Sequence, residues 1–359
     1  MKVYLGTTGK AGGNAGTKAV GDAMKVYLGT WPDEKGAQSS PKNVGKGKRV
    51  YLGAPTAQSA ERNDLHRVAE QGVRPLRILF SYHYYKDEDL DRCMNEALKG
   101  IPCDVFADSG AFSAWTTGHP ITVKEYADWL AKWGHYFTCA AALDVIGDAA
   151  ASFKQTEELR KQVDPKLNVL PVFHSNDEGG FKWLQAYFDA GYDYIGISPT
   201  GAIYGNPKLM HAWLMKCFQM KPAHVKYHGF GVTGWRVLKA FPWYSVDSSS
   251  WTSGFRYASL ALFDEKRGDW TKIAMRSPGE LLAAAKLFAE YGLVPGEVRA
   301  DKYNRDKLCG ACVISWQRAE AWLERWHAGP QRVYLGTVTG EKTPNSPDTC
   351  GRALRGGTT

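Results

Sequence analysis

"DVFADSGAFSAWTTGHPITVKEYADWLAKWGHYFTCAAALDVIGD", residues 104–148, contains the unit from which the rest of the chain is built. It opens on a short apolar run, DVFADS at 104–109. In the stretch TVKEYADWLAKWGHYF the apolar residues then fall at 123, 126, 127, 130 and 133, the spacing of a helix with one buried face. Thr122 precedes that face and Glu125 lies three residues on, the pairing of a capping box. A second apolar run, CAAALDV at 139–145, follows. Strand, helix and strand in this order predict a parallel pair joined by a crossover helix.

The same alternation extends in both directions. Apolar runs occur at RVYLGA (49–54), RILFSY (77–82), NVLPVFH (168–174), YIGIS (194–198), VKYHGFG (225–231) and YSVDSS (244–249). Between them, GGFKWLQAYFDAG puts Phe181, Leu184 and Phe188 on one helical face, and NPKLMHAWLMKCF begins with proline in its first turn. Eight such runs predict an α/β protein of the (β/α)8 TIM-barrel kind over residues 49–300. An open doubly wound sheet is the main rival, but no G-x-G-x-x-G follows the first strand. SPGELLAAAKLFAEYG, 277–292, reads as the last barrel helix. Residues 301–330 read as a small helical appendage and 331–359 as a tail.

The chain has 359 residues, 44% of them hydrophobic and 13% aromatic, which suits a globular core. No run of 18 apolar residues is present, so no membrane span is expected. The start, MKVYLGTTGKAGG, has no apolar signal region. Seven cysteines at irregular spacing suggest reduced thiols and a cytoplasmic setting. The net charge of +8 is concentrated at the ends. Residues 1–50 hold nine Lys/Arg against three Asp/Glu, and residues 331–359 hold four against two, so the body between is neutral. Basic arms on a neutral body suit a polyanion, since neutralising each phosphate releases counterions. Residues 1–48 read as a flexible Gly/Lys-rich arm. One hexapeptide recurs four times, as KVYLGT at 2–7 and 25–30, RVYLGA at 49–54 and RVYLGT at 332–337. Only the copy at 49–54 is expected to be an integral strand; the others are free to add to a sheet edge or a partner chain. A homodimer is compatible with this pattern.

In such barrels chemistry sits at the C-terminal ends of the strands. Polar residues gather there: Asp108 and Ser109, Asp144, His174 and Ser175, Ser198 to Gly201, His228, Gly229 and Gly231, and Asp247. A carboxylate at the tip of a buried strand is costly unless it has partners or lines a pocket. A single one is usually a cap, whereas three on one rim point to a site. Two facing carboxylates suit glycosidic chemistry, with one attacking the anomeric carbon and the other handing a proton to the leaving group.

DSGAFSAW resembles the DSGGFQ motif of the tRNA-guanine transglycosylases. Segments in the matching order follow over roughly residues 100–260: ALDVIGD, VLPVFHSNDEGG, YIGISPTG, YHGFGVTG and YSVDSSSW. The departures are most similar to the branch that exchanges guanine in DNA for a 7-deazaguanine. The resemblance implies Asp247 as the nucleophile at C1′ of the deoxyribose, forming a covalent intermediate. It implies Asp108 as the acid that protonates the departing guanine and then takes a proton from the incoming base. Asp144 would accept from the base's N1–H and exocyclic amine. Ser109, Gly110, Phe112, Ser198 and Gly201 would line the base, Gly229 and Gly231 would leave it room, and His174 and Ser175 stand where the family has Gln. Phe112 and Tyr227 are candidate stacking faces. The implied partners are DNA, with its nucleotide extruded from the stack, and a free 7-deazaguanine base.

No cofactor is required for that chemistry. The family's zinc site is only partly matched by Cys309, Cys312 and His327, where its first cysteine is missing, so two buried thiols on an amphipathic helix are favoured over a structural zinc. Three rival readings remain: the same exchange on tRNA, a carbohydrate glycosidase using Asp108 and Asp247 with Trp115, Trp235, Trp243 and Trp251 near the mouth, and a non-catalytic DNA-binding barrel.

Overall fold

The structure, a computed structural model, describes residues 2–5, 75–92, 94–95, 102–248, 257–328 and 332–336. The rest of the 1–48 arm, the hexapeptide copies at 25–30 and 49–54, Cys93, Trp251 and the tail beyond 336 lie outside the described residues.

The chain is α/β, built on a parallel sheet. Its strands are β1 (Lys2–Leu5), β2 (Leu76–Ser81), β3 (Cys103–Asp108), β4 (Cys139–Ala141), β5 (Asn168–Leu170), β6 (Val172–His174), β7 (Tyr194–Ser198), β8 (Lys226–Gly229) and β9 (Ser245–Ser248). They are hydrogen-bonded in the order β5-β4-β3-β2-β1-β9-β8-β7-β6, and every pairing along that path is parallel. The two ends of the path, β5 and β6, are separated in sequence by Pro171 alone. Proline has no N–H to give a ladder, which explains the interruption within NVLPVFH. Its carbonyl still accepts from Gly196 N at 2.8 Å.

Two hairpins lie outside this sheet: β10 (Ser259–Asp264) with β11 (Asp269–Ala274), and β12 (Val298–Arg299) with β13 (Lys302–Tyr303). A last strand, β14 (Arg332–Gly336), pairs with β2 and β9, as β1 does. The first and last hexapeptide copies therefore pair at one and the same place in the sheet, where only the copy at 49–54 was expected. Their β-branched and aromatic residues suit a pleated, half-buried surface wherever a ladder is open to them.

The crossovers are helical. α1 (Ala111–Thr117) and α2 (Val123–Trp133) follow β3, α3 (Ala149–Gln162) follows β4, and α4 (Phe181–Asp189) follows β6. α5 (Pro207–Met220) follows β7, and α6 (Trp235–Ala240) follows β8. The capping box of α2 forms as expected: Thr122 Oγ1 accepts from Glu125 N at 3.2 Å and Glu125 Oε2 accepts from Thr122 N at 2.9 Å. Pro207 opens α5 behind an Asn206 cap. Because helices cover the sheet, its strands are apolar on both faces, and all six residues of β2 are buried. Among the described residues, no helix is long and apolar enough to cross a membrane.

The segment 277–292 forms two short helices, α7 (Pro278–Ala283) and α8 (Ala285–Glu290), with α7 set against β11. The long helix α9 (Arg305–Trp326) packs against β10 and against β1 and β14. Leu308, Cys309, Cys312, Ile314, Trp316 and Leu323 of α9 are buried in the main core. Its Glu320, fully buried, lies 2.7 Å from the Arg77 guanidinium, which is also 3.5 Å from Asp104. Breaking a buried pair leaves an uncompensated charge. Glu320→Ala should therefore lower the unfolding free energy by about 3–5 kcal/mol in urea titration, whereas replacing all three charges together, with Arg77→Met, Asp104→Leu and Glu320→Leu, should recover most of it.

Candidate active site

The C-terminal ends of the parallel strands carry the polar side chains, and the register aligns them. Ser81 stands opposite Asp108, and His174 opposite Ser198. Asp247, near the end of β9, follows Val246, which pairs with Gly229 of β8.

Asp108 ends β3. Its Oδ2 accepts from Gly110 N at 3.1 Å, and that turn requires glycine, because φ is +73° and a Cβ would sit 2.5 Å from His83 Cβ. Burial pushes the Asp108 carboxyl up to about 7. The Ser81 hydroxyl pulls it down, while the charges on Asp247 and Asp144 add to the rise. The field of Asp108 also raises Tyr84 and Tyr126, on top of the larger effect of their own burial. Asp108, Asp144 and Asp247 are thus electrostatic neighbours, although Asp144 lies 36 residues after Asp108 and Asp247 a further 103 residues on.

Asp247 is partly exposed. Its Oδ1 accepts from Gly231 N at 2.8 Å and lies 3.5 Å from His228 Nε2. His228 is fully buried and stacks on Phe106 with ring centres 4.6 Å apart. Burial lowers its pKa, only partly offset by Asp247, so the ring is neutral at pH 7. Its Nδ1 lies 2.7 Å from Ser245 Oγ, and Ser245 Oγ in turn contacts the Tyr194 hydroxyl. If Ser245 donates to Nδ1, the remaining N–H is Nε2–H, directed at Asp247. That arrangement sets an uncharged N–H beside the Asp247 carboxyl, in addition to Gly231 N.

Asp144, three residues beyond β4, is paired with His174: Nε2 and Oδ2 are 2.5 Å apart, with both side chains largely buried. Burial lowers the His174 pKa, but the Asp144 carboxylate, with help from Asp177, more than reverses it, and the net shift is upward. Asp144 Oδ2 is therefore already engaged, and Oδ1 alone is left to meet a ligand, where two accepting oxygens were expected. His174 Nδ1 is buried with no hydrogen bond among the described residues.

Ser175 holds the loop after β7: its Oγ accepts from Thr200 N at 2.7 Å, and its N–H donates to Ser198 O at 3.1 Å. Gly201 opens the next helical turn with φ +53°. Phe112 and Trp115 on α1 are 59% and 64% exposed, with ring centres 6.1 Å apart, beside the end of β3. Ser109 is buried and its Oγ accepts from Ala111 N at 3.4 Å, a local turn contact.

Several expected site residues serve the core instead. A Cβ on Gly229 would come within 2.9 Å of the Trp243 ring, so the missing side chain makes room for Trp243 and not for a base or sugar. Gly231 matters through its N–H on Asp247 and its φ of +65°. Tyr227 is buried and donates to Cys217 O at 3.0 Å, so it is no stacking face. Trp243 is fully buried, and the Trp235 indole donates to Gly268 O at 3.0 Å, so neither supplies a sugar platform. Cys309 and Cys312 are buried in the core, and His327 Nε2 lies 2.7 Å from Leu238 O. Among the described residues no group of three His, Cys, Asp or Glu is placed to hold a metal ion.

Ser81, Tyr84, Tyr126 and the Ser245–Tyr194 pair were not read from the sequence. Ser81 had a usable signal, since it ends its strand as Asp108 ends the next.

No protein-family model matches the chain, and no curated protein matches it.

Proposed function

We propose that the protein is a base-exchange transglycosylase that replaces guanine in DNA with a 7-deazaguanine, working at the mouth of a (β/α)8 barrel. The observation that carries this reading is the coupling of three carboxylates in one electrostatic neighbourhood, with one of them held near pKa 7. The parallel order from β5 round to β6, with Pro171 joining the two ends, supports closure into eight strand positions.

In this reading an oxygen of Asp247 attacks C1′ as the bond from C1′ to the guanine nitrogen breaks. The protonated Asp108 carboxyl supplies the proton that the leaving guanine needs. The covalent ester is resolved when the nitrogen of an incoming deazaguanine attacks C1′ and Asp108 recovers a proton, so that atoms and charge balance over the cycle. Asp108 suits the acid role because a group with pKa near the working pH is both protonated and willing to release its proton. Gly231 N–H and neutral His228 hold Asp247 in place.

The Asp144–His174 pair suits the guanine edge. Asp144 Oδ1 would accept from N1–H, and a protonated His174 would donate from Nδ1 to O6. Guanine presents that donor and acceptor side by side. The exposed Phe112 and Trp115 pair gives flanking bases a stacking surface. The basic ends of the chain would meet phosphates without reading sequence.

Incubating the protein with radiolabelled guanine and either duplex DNA or tRNA tests the proposal. Label is expected in DNA and absent from tRNA. Label in tRNA alone would move the activity to the RNA substrate, and label in neither would overturn base exchange.

A further inference from the structure

The chain carries four copies of V-Y-L-G, and the two within the described residues occupy one place. Against β9, Lys2 and Arg332 both stand opposite Ser245, Val3 and Val333 opposite Val246, and Tyr4 and Tyr334 opposite Asp247. Against β2, Leu5 and Leu335 both stand opposite Ile78. The register is the same residue for residue on both sides.

A gap between two strands offers one facing row of N–H and C=O groups from each. Neighbouring strands lie about 4.7–4.9 Å apart, so such a gap admits one strand at a time. Register in a parallel ladder is fixed by sequence pattern, and these two copies have the same pattern. We propose that the gap between β2 and β9 is a receptor for the V-Y-L-G strand, with the last copy as its main occupant and the first copy as its replacement. The inference is independent of the reaction assigned to the site.

The order of preference follows from tethering. Five residues separate the end of α9 at Trp326 from β14 at Arg332, and α9 is anchored in the core. Seventy residues separate β1 from β2. With equal ladders, the shorter connection gives β14 the higher effective concentration at the gap. Strand addition of this kind draws its affinity from main-chain hydrogen bonds, so a replacement of the same sequence restores nearly all of it. The occupant also runs beside Asp247, so the exchange bears on the end of β9.

Amide hydrogen exchange on the full-length chain, read by mass spectrometry, tests this. In the unaltered protein, residues 333–335 should be protected and residues 3–5 should exchange nearly as fast as free peptide. Tyr334→Pro removes an N–H from the last copy, and residues 3–5 should then gain at least tenfold protection. Tyr4→Pro should leave 333–335 within about twofold of their original rate. A copy that is in place half the time can be slowed only about twofold, so strong protection of both copies in the unaltered protein would overturn the proposal. So would Tyr334→Pro giving no gain at 3–5, a gain at 25–30 or 49–54 instead, or loss of the far-ultraviolet circular dichroism signal, which would make the last copy irreplaceable.

Discussion

Asp247→Ala is expected to lower base exchange by about three to four powers of ten and to abolish any covalent protein–DNA adduct. Removing a nucleophile that acts as part of a unit removes most of what the unit achieves, and what remains comes from binding and positioning. The fold should tolerate the change. Asp247 is partly exposed, its Oδ1 accepts from Gly231 N at 2.8 Å, and water can replace it there. That contact is worth about 1 kcal/mol, so the melting temperature should move by only a few degrees. Denaturing gels after incubation with DNA would show the adduct as a slower band for the unaltered protein and none for the variant. A band that persists in Asp247→Ala would assign the attack elsewhere and overturn this role.

Much of the scaffold was legible because it depends on local patterns. Thr122 and Glu125 announce the start of α2, Asn206 and Pro207 announce α5, and each forms in the structure. Seven of the eight expected strands were legible to within a few residues, the eighth, at 49–54, lying outside the described residues; the interruption at Pro171 and the strands at Lys2–Leu5 and Arg332–Gly336 are the departures. Gly229 and Tyr227 serve the core rather than the site, and the strand's alternation marks them for it. In β8 successive side chains alternate, so Tyr227 and Gly229 share one face and His228 points to the other. The first face meets Trp243 and Cys217, and the second meets Phe106 and Asp247. Applying the two-residue period would have separated His228 from its neighbours. The pairs that shape the site were not legible at all. Asp144 and His174 are 30 residues apart and Tyr194 and Ser245 are 51 apart, and nothing local marks either contact. The hexapeptide was visible as a repeat, but its shared place beside β9 depends on register, which a sequence does not display.

Asp108→Asn should separate catalysis from stability. Amide side chains neither release nor recover a proton, so exchange should fall by about two to four powers of ten. In the unaltered protein kcat/KM for the proposed exchange should decline as pH rises through about 7, where burial has placed the Asp108 carboxyl, and Asp108→Asn should lose that alkaline limb. The stability of Asp108→Asn should move opposite to its activity. The folded-state value lies above the ordinary 3.8, so the folded protein binds a proton that the unfolded chain has already lost between those two values. The unaltered protein therefore loses stability as pH rises from about 4 to 7, and the loss is complete above 7. A three-unit shift corresponds to about 4 kcal/mol at most, and the partial exposure of this side chain reduces it to about 1–3 kcal/mol. Asp108→Asn carries no charge to desolvate, so it should be more stable than the unaltered protein at pH 8 and no more stable at pH 4. Urea titrations at the two pH values check the sign. A variant weakened equally at both would mean that Asp108 is a structural cap for Gly110, and its raised pKa would then have no part in the chemistry.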